Sequence, residues 1–257
     1  MFKFGGLFKV MNFKVFFIAA LAVLSTHLSI KYGLFADFPL TIIATAVIFP
    51  VVFSIGGAYK RREQALDQYG ILKAHGRAIY FAARDWVDTN DKKSMNKFKK
   101  ELENLFNGCK VLFNNPVEDM RENEEAVYKS FSNLSKIIRT DLREKGLATG
   151  EVSRCNQYLS KMFVAFERVK HIYQYRTPKS LRSFSDFFIS ILPIIYGPYF
   201  AELAKEFSPN LTYVMPILLT FILVSLDNIQ DQLENPFDEV GEDDIMINTD
   251  KFIKRLY

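Results

Sequence analysis

Four stretches of this chain contain no Asp, Glu, Lys or Arg, and they constrain its fold more than any other feature. They are Val15 to Ile30 (16 residues), Phe38 to Tyr59 (22), Phe187 to Ala201 (15) and Phe207 to Leu226 (20). A helix needs about 20 mostly apolar residues to cross the hydrocarbon core of a bilayer. The second and fourth stretches meet that length alone. The first and third can each borrow a flanking turn, because lysine side chains snorkel to the interface. A soluble core helix of such length would carry a polar stripe, and these stretches carry none. A cleaved signal peptide fits poorly: the first apolar run is long, no small-x-small cleavage site follows it, and a second span comes almost at once. The pattern predicts spans near residues 12–30, 38–59, 185–203 and 207–226.

The charges fall between and after these spans. Residues 60–183 hold 25 Lys+Arg and 16 Asp+Glu, and residues 227–257 hold 3 and 9. The formal net charge of +4 is therefore a basic middle offset by an acidic tail. The head carries Lys3, Lys9 and Lys14, whereas the short loops at 31–37 and 202–206 are near neutral and acidic. The positive-inside rule then places the head, the 60–183 segment and the tail in the cytosol. Four spans with both termini inside is self-consistent. The expected location is the inner (plasma) membrane, multi-pass. Cys109 and Cys155 would stay reduced on that side.

The cytosolic segment reads as helix. Lys60 to Val87 runs without proline to an Asp-Thr-Asn-Asp turn. Ser94 to Phe106 is helical, with a break expected at Asn107-Gly108. Asn114-Asn115-Pro116 is a turn. Val117 to Lys145 and Glu151 to Tyr175 are helical, closed by Gly146 and by Thr177-Pro178. No strand, internal repeat or low-complexity tract is evident. The expected fold class is all-α: an integral membrane protein with four transmembrane helices continuous with a cytosolic helical bundle, one domain over 1–257.

Enzyme signatures are missing: no glycine-rich phosphate loop, no Gly-x-Ser-x-Gly, no His-Glu-x-x-His. His27, His75 and His171 are far apart, and the cysteines lack metal-ligand spacing. His27 lies in the first span, where it is read as a neutral histidine bonded within the bundle or near the outer interface. The basic middle interleaves its charges with acids along helices, which reads as a solvated face rather than a nucleic-acid surface. The expectation is neither an enzyme nor a nucleic-acid binder, with no cofactor.

Two segments carry more specific signals. In Phe49-Pro50-Val51-Val52-Phe53-Ser54-Ile55-Gly56-Gly57, Phe49 and Phe53 are four apart and share a helix face. Pro50 removes one intrahelical hydrogen bond. Several copies of this helix around an axis would stack Phe49 and Phe53 as rings, a hydrophobic constriction that gates by dewetting. A single copy would turn both toward lipid or another helix. The second segment is the tail, Gln232-Leu233-Glu234-Asn235-Pro236-Phe237-Asp238-Glu239, leading to Glu242-Asp243-Asp244. Its carboxylates suit a hard cation such as calcium, a pairing with the basic middle, or plain solvation. The spacing is not that of an EF-hand.

These stretches resemble the bestrophin family, in particular its short bacterial members. The Phe49 to Gly57 run followed by the charged helix Tyr59 to Tyr69 is similar to the family's neck helix. Phe166-Glu167-Arg168-Val169 with Arg176-Thr177-Pro178 resembles the bacterial Cys-Glu-Arg-Ile…Thr-Pro signature. The tail is similar to the family's Glu-Asn-Pro-Phe-Gly-acidic motif. The order of elements matches over nearly the whole chain.

The resemblance implies a homopentameric ion channel in the lipid bilayer. It would conduct anions, chloride first, through a hydrophobic neck formed by Phe49, Phe53 and Gly57, with a cytosolic aperture at Val152. The alternatives are a cation-conducting member and a non-conducting scaffold or regulatory subunit of the same fold. It also brings a calcium clasp at Glu242, Asp243 and Asp244, as in animal members, whereas bacterial members generally do without calcium. The chain departs from the pattern at three places. Gly57 stands where the family has a bulky apolar residue, Asp238 replaces the usual glycine, and extra residues separate Arg168 from Thr177.

Overall fold

The computed structural model describes residues 12–37, 40–87, 92–206, 211–239 and 244–256. Among them there is no strand, and the all-α expectation holds. The helices are α1 (Phe13–Tyr32), α2 (Leu40–Asp85), α3 (Lys92–Asn114), α4 (Met120–Ile137), α5 (Thr149–Gln174), α6 (Lys179–Ile195), α7 (Gly197–Glu206), α8 (Val214–Glu234) and α9 (Thr249–Lys254). A single π turn, Ile138–Leu142, extends α4.

Local chemistry sets the ends of α1. Asn12 accepts a hydrogen bond from the Val15 amide at its start. Gly33 closes it in the left-handed region at φ 66°, with the Leu34 amide donating back to the Ser29 carbonyl at 2.8 Å. The second apolar stretch and the charged segment after it form one helix, α2. At 1.5 Å per residue its 46 residues extend about 69 Å, more than twice the hydrocarbon thickness.

Two compact units divide the chain: Met1–Lys60 with Thr177–Glu234, and Arg61–Arg176 with Asn235–Tyr257. The first unit gathers the apolar helices. Its core is Val15 and Ile18 of α1, Val47 and Val51 of α2, Ile189 and Leu192 of α6, Tyr196, Phe200 of α7, and Leu223 and Val224 of α8. It is also apolar outside, exposing Phe13, Phe16, Phe17, Ile42, Phe187, Ile217, Leu218 and Ile222. An apolar exterior on apolar helices is stable only where the solvent is hydrocarbon. Several of its buried hydroxyls turn back onto their own helices. Thr26 donates to the Ala22 carbonyl at 2.9 Å, and Thr220 to that of Pro216 at 2.7 Å.

Among the described residues, three helices are long and apolar enough to span a membrane, and a fourth span exists if α6 and α7 count as one. This chain is a membrane protein. The third span differs from a straight helix over 185–203: α6 and α7 meet at Tyr196 with a bend of 41°. The cause is Pro198. In an unbroken helix its nitrogen would donate to the Ile194 carbonyl, and proline has no N–H. Ser25 of α1 donates its hydroxyl to that carbonyl instead, at 2.7 Å.

The second unit is built the ordinary way, with apolar residues inside. Leu72 and Ile79 of α2, Phe98, Leu102 and Phe106 of α3, Leu134 of α4, Met162 and Phe166 of α5, and Phe252 of α9 fill its core. The expected break at Asn107-Gly108 does not occur, since α3 continues to Asn114. Gly108 is instead a point of close approach, where an added Cβ would stand 3.1 Å from Val127 Cγ2 of α4. Buried Cys109, Leu112 and Phe113 hold the helix beyond it. That packing outweighs the ~1 kcal/mol helix cost of glycine.

Candidate pore-lining site

The apolar part of α2 buries one stripe and exposes the opposite one. Val47, Val51, Ser54 and Ala58 are buried, at spacings of four, three and four. Phe49 and Phe53 stand on the other side, 57% and 72% exposed, with ring centroids 6.0 Å apart and planes tilted by 34°. Two large phenyl groups four residues apart therefore project from one chain without covering. Pro50 lies inside this turn and α2 continues through it.

Helical register orders the residues that follow. At 100° per residue, Gly56 lies about 20° to one side of Phe49, and Gly57 about 80° to the other. Gly56 is exposed, with nothing within 4 Å of an added Cβ, whereas Gly57 is half-buried on the flank. The exposed stripe thus runs Phe49, Phe53, Gly56, Lys60. The spacing rule that pairs Phe49 with Phe53 would have reached Gly56 and Lys60 by steps of three and four.

Val152 sits in the first turn of α5, partly buried against the core of the second unit, its amide donating to the Ala148 carbonyl at 2.9 Å. Glu242 and Asp243 lie outside the described residues, and Asp244 is half-buried. Among the described residues, no three His, Cys, Asp or Glu side chains gather as metal ligands would.

Charged groups at the span edges form a network that the apolar pattern did not reveal. Lys14 of α1 donates to Asp227 of α8 at 2.7 Å and lies 3.6 Å from Asp186 of α6. Arg182 of α6 pairs with Asp186 at 3.3 Å, with Glu234 of α8 at 3.4 Å, and with Asp231. Asn12 donates to Asn228 at 2.9 Å. The starts of α1 and α6 and the end of α8 are thereby held at the same end of the unit. His27 instead meets Tyr213, just before α8, at 2.9 Å. Both side chains are exposed, so the bond ties α1 to the segment before α8 at the surface of the unit.

No protein-family model and no curated protein matches this chain. Solved structures do. An Asp-to-Ala variant of a bacterial bestrophin homologue from Klebsiella pneumoniae superposes with a TM-score of 0.76 at 16% identity, covering 95% of this chain and 97% of that one. A Trp-to-Ala variant of the Klebsiella pneumoniae homologue gives 0.75 at 16%, covering 95% of each chain. A structure described as a membrane protein with a Pro-to-Ala change gives 0.74 at 17%, covering 95% and 97%. The chain has the bestrophin fold.

Two of the motifs behind the bestrophin resemblance have visible structural work. Glu167 accepts from the Tyr128 hydroxyl at 2.7 Å, and Lys170 lies 3.0 Å from Glu167 and 3.3 Å from Glu124, clamping α5 to α4. Burial alone would lower the Lys170 pKa. Its bonds to Tyr128, Glu167 and Glu124 outweigh that and raise it above the ordinary lysine value, so the cation is firmly held. In the tail, Phe237 is buried and stacks on Phe113 at 5.1 Å. The Ile245 amide donates to the Pro236 carbonyl at 2.6 Å, and Lys110 pairs with Glu239 at 3.3 Å. The Asn-Pro-Phe turn is thus an anchor for the returning tail.

Proposed function

We propose that this protein is a homopentameric ion channel of the bestrophin type, conducting anions, chloride first, through a neck on α2. The carrying observation is the pair Phe49 and Phe53, uncovered on one face of a membrane helix in a bestrophin fold. Five copies around an axis would turn these phenyl groups into two stacked rings. An ion in such a neck loses water and gains little, so conduction depends on the neck being short and on when it wets. Phenyl edges carry partial positive charge, which favours an anion over a cation there. The third position of the neck is glycine, at Gly56 or Gly57, so the constriction narrows at Phe49 and Phe53 only.

The orientation follows from charge. The edge network gathers the start of α1 with the end of α8, and the basic residues of the head and of 60–183 are assigned to the cytosol by the positive-inside rule. Both termini then face the cytoplasm of a cell whose inner membrane holds the channel.

The test is chloride efflux from liposomes containing the purified full chain. Wild type is expected to release chloride, and replacing both Phe49 and Phe53 by Ala should speed release by widening the neck. Absence of flux in both proteins would refute a channel and leave a non-conducting scaffold of the same fold.

A further inference from the structure

The exposed stripe of α2 does not end with the phenyl groups. Lys60 is exposed and lies seven residues after Phe53 and eleven after Phe49, which places it between the two in azimuth and about 10 Å along the axis from Phe53. Between them stands Gly56, around which an added Cβ would meet nothing within 4 Å. Side chains on a helix tilt toward its N-terminus. The Lys60 stem therefore extends over the space that Gly56 leaves open, toward Phe53. Its neighbours are otherwise engaged: Arg62 pairs with Glu63 at 2.5 Å. Among the described residues, no ion pair involves Lys60.

We infer that Lys60 is a selectivity residue of the proposed channel: its ammonium lies at the mouth of the Phe49–Phe53 neck and draws permeant anions to it. This rests on the channel reading above. The chemistry is direct. A hydrophobic neck gives an ion no ligand, so preference between signs must come from the field at its ends. One exposed cation per chain, repeated around an axis, raises the local anion concentration and lowers that of cations. The missing side chain at Gly56 acquires a role, since a bulky residue there would hold the ammonium away from the neck. A lysine at this depth could equally bind a lipid phosphate by the same charge, and the experiment separates the two.

The full chain is reconstituted in planar bilayers under asymmetric KCl, and the reversal potential is read as a Cl−/K+ permeability ratio. Wild type should favour chloride. Lys60→Gln should lower the ratio several-fold, Lys60→Glu by roughly tenfold or more, and Lys60→Arg should retain it. A Lys60→Cys variant adds a readout in one folded protein. A cationic methanethiosulfonate reagent should restore the anion preference and an anionic one should reduce it further, because native Cys109 and Cys155 are buried. If wild type conducts and the ratio stays the same in the Glu and modified Cys variants, Lys60 faces lipid and the inference is overturned while the channel stands. If wild type carries no current, both fall.

Discussion

Replacing Gly197 by Ala should destabilise the membrane unit strongly, although it adds a single methyl group. That methyl would stand 2.2 Å from Ser25 Oγ, 2.9 Å from Ser25 Cβ and 2.8 Å from the Ser25 backbone carbonyl carbon. The hydroxyl can rotate away, but it then gives up its 2.7 Å bond to the Ile194 carbonyl. Pro198 has no N–H to replace it. The backbone carbon cannot rotate. Reaching ordinary contact at 3.4 Å requires α7 and α1 to part by about 0.6 Å. Overpacking of this kind costs about 1–3 kcal/mol, and the lost hydrogen bond adds about 1 kcal/mol. Close backbone approach at small residues is what holds membrane helices together, so we expect a total near 3 kcal/mol. For a chain of this size that lowers Tm by about 6–12 °C. The assay is thermal unfolding in detergent, followed by circular dichroism and by loss of the monodisperse chromatographic peak. Combining Gly197→Ala with Ser25→Gly should recover only part of the loss, because the carbonyl carbon stays at 2.8 Å. A Gly197→Ala protein that unfolds within about 1 °C of wild type, on a scale where 1 kcal/mol moves Tm by about 2–4 °C, would refute the close approach of α7 to α1.

Lys14→Met should be more harmful than Lys14→Met with Asp227→Asn. Asp227 is fully buried, and removing its 2.7 Å partner leaves a charge inside an apolar unit, at a cost of about 3–5 kcal/mol, whereas neutralising both avoids it; denaturant titration of the two variants measures the difference. Cys109 and Cys155 should resist maleimide at pH 8 in the folded protein and react at once in the denatured one. Burial pushes the Cys109 thiol up, and burial with nearby Glu151 moves Cys155 to about 11, so neither offers thiolate to the reagent. Rapid labelling of the native chain, read by mass spectrometry, would contradict the packing of α3 and α5.

Much of the fold is legible in the order of residues, because apolar runs and helix signals are local. The uncharged stretches mark the membrane helices. The absence of proline between Ser54 and Val87 lets α2 run on through Lys60, and Gly146, in the left-handed region at φ 97°, follows the α4 segment where a glycine stop is expected. At two places the local signal and the packing differ. Asn107-Gly108 resembles a turn, yet Gly108 serves contact with Val127. Pro198, just after Tyr196, carries the bend between α6 and α7, but an uncharged run hides it. Partners far apart in sequence leave no local trace. Lys14 and Asp227 are 213 residues apart, and each alone is only a charge at the edge of a span.

The sequence by itself determined that this is an all-α membrane chain with a basic helical body and an acidic tail, since the free energy of burying apolar runs in hydrocarbon depends on composition and length. It also set Phe49 and Phe53 on one helix face, because a helix has a fixed period. Which face of α2 would be free was decided only by tertiary structure. Val47 and Val51 are taken into the core with α1, α6 and α8, and that choice turns Phe49, Phe53, Gly56 and Lys60 outward. A helical period gives relative angles, and only packing supplies the direction from which they are counted.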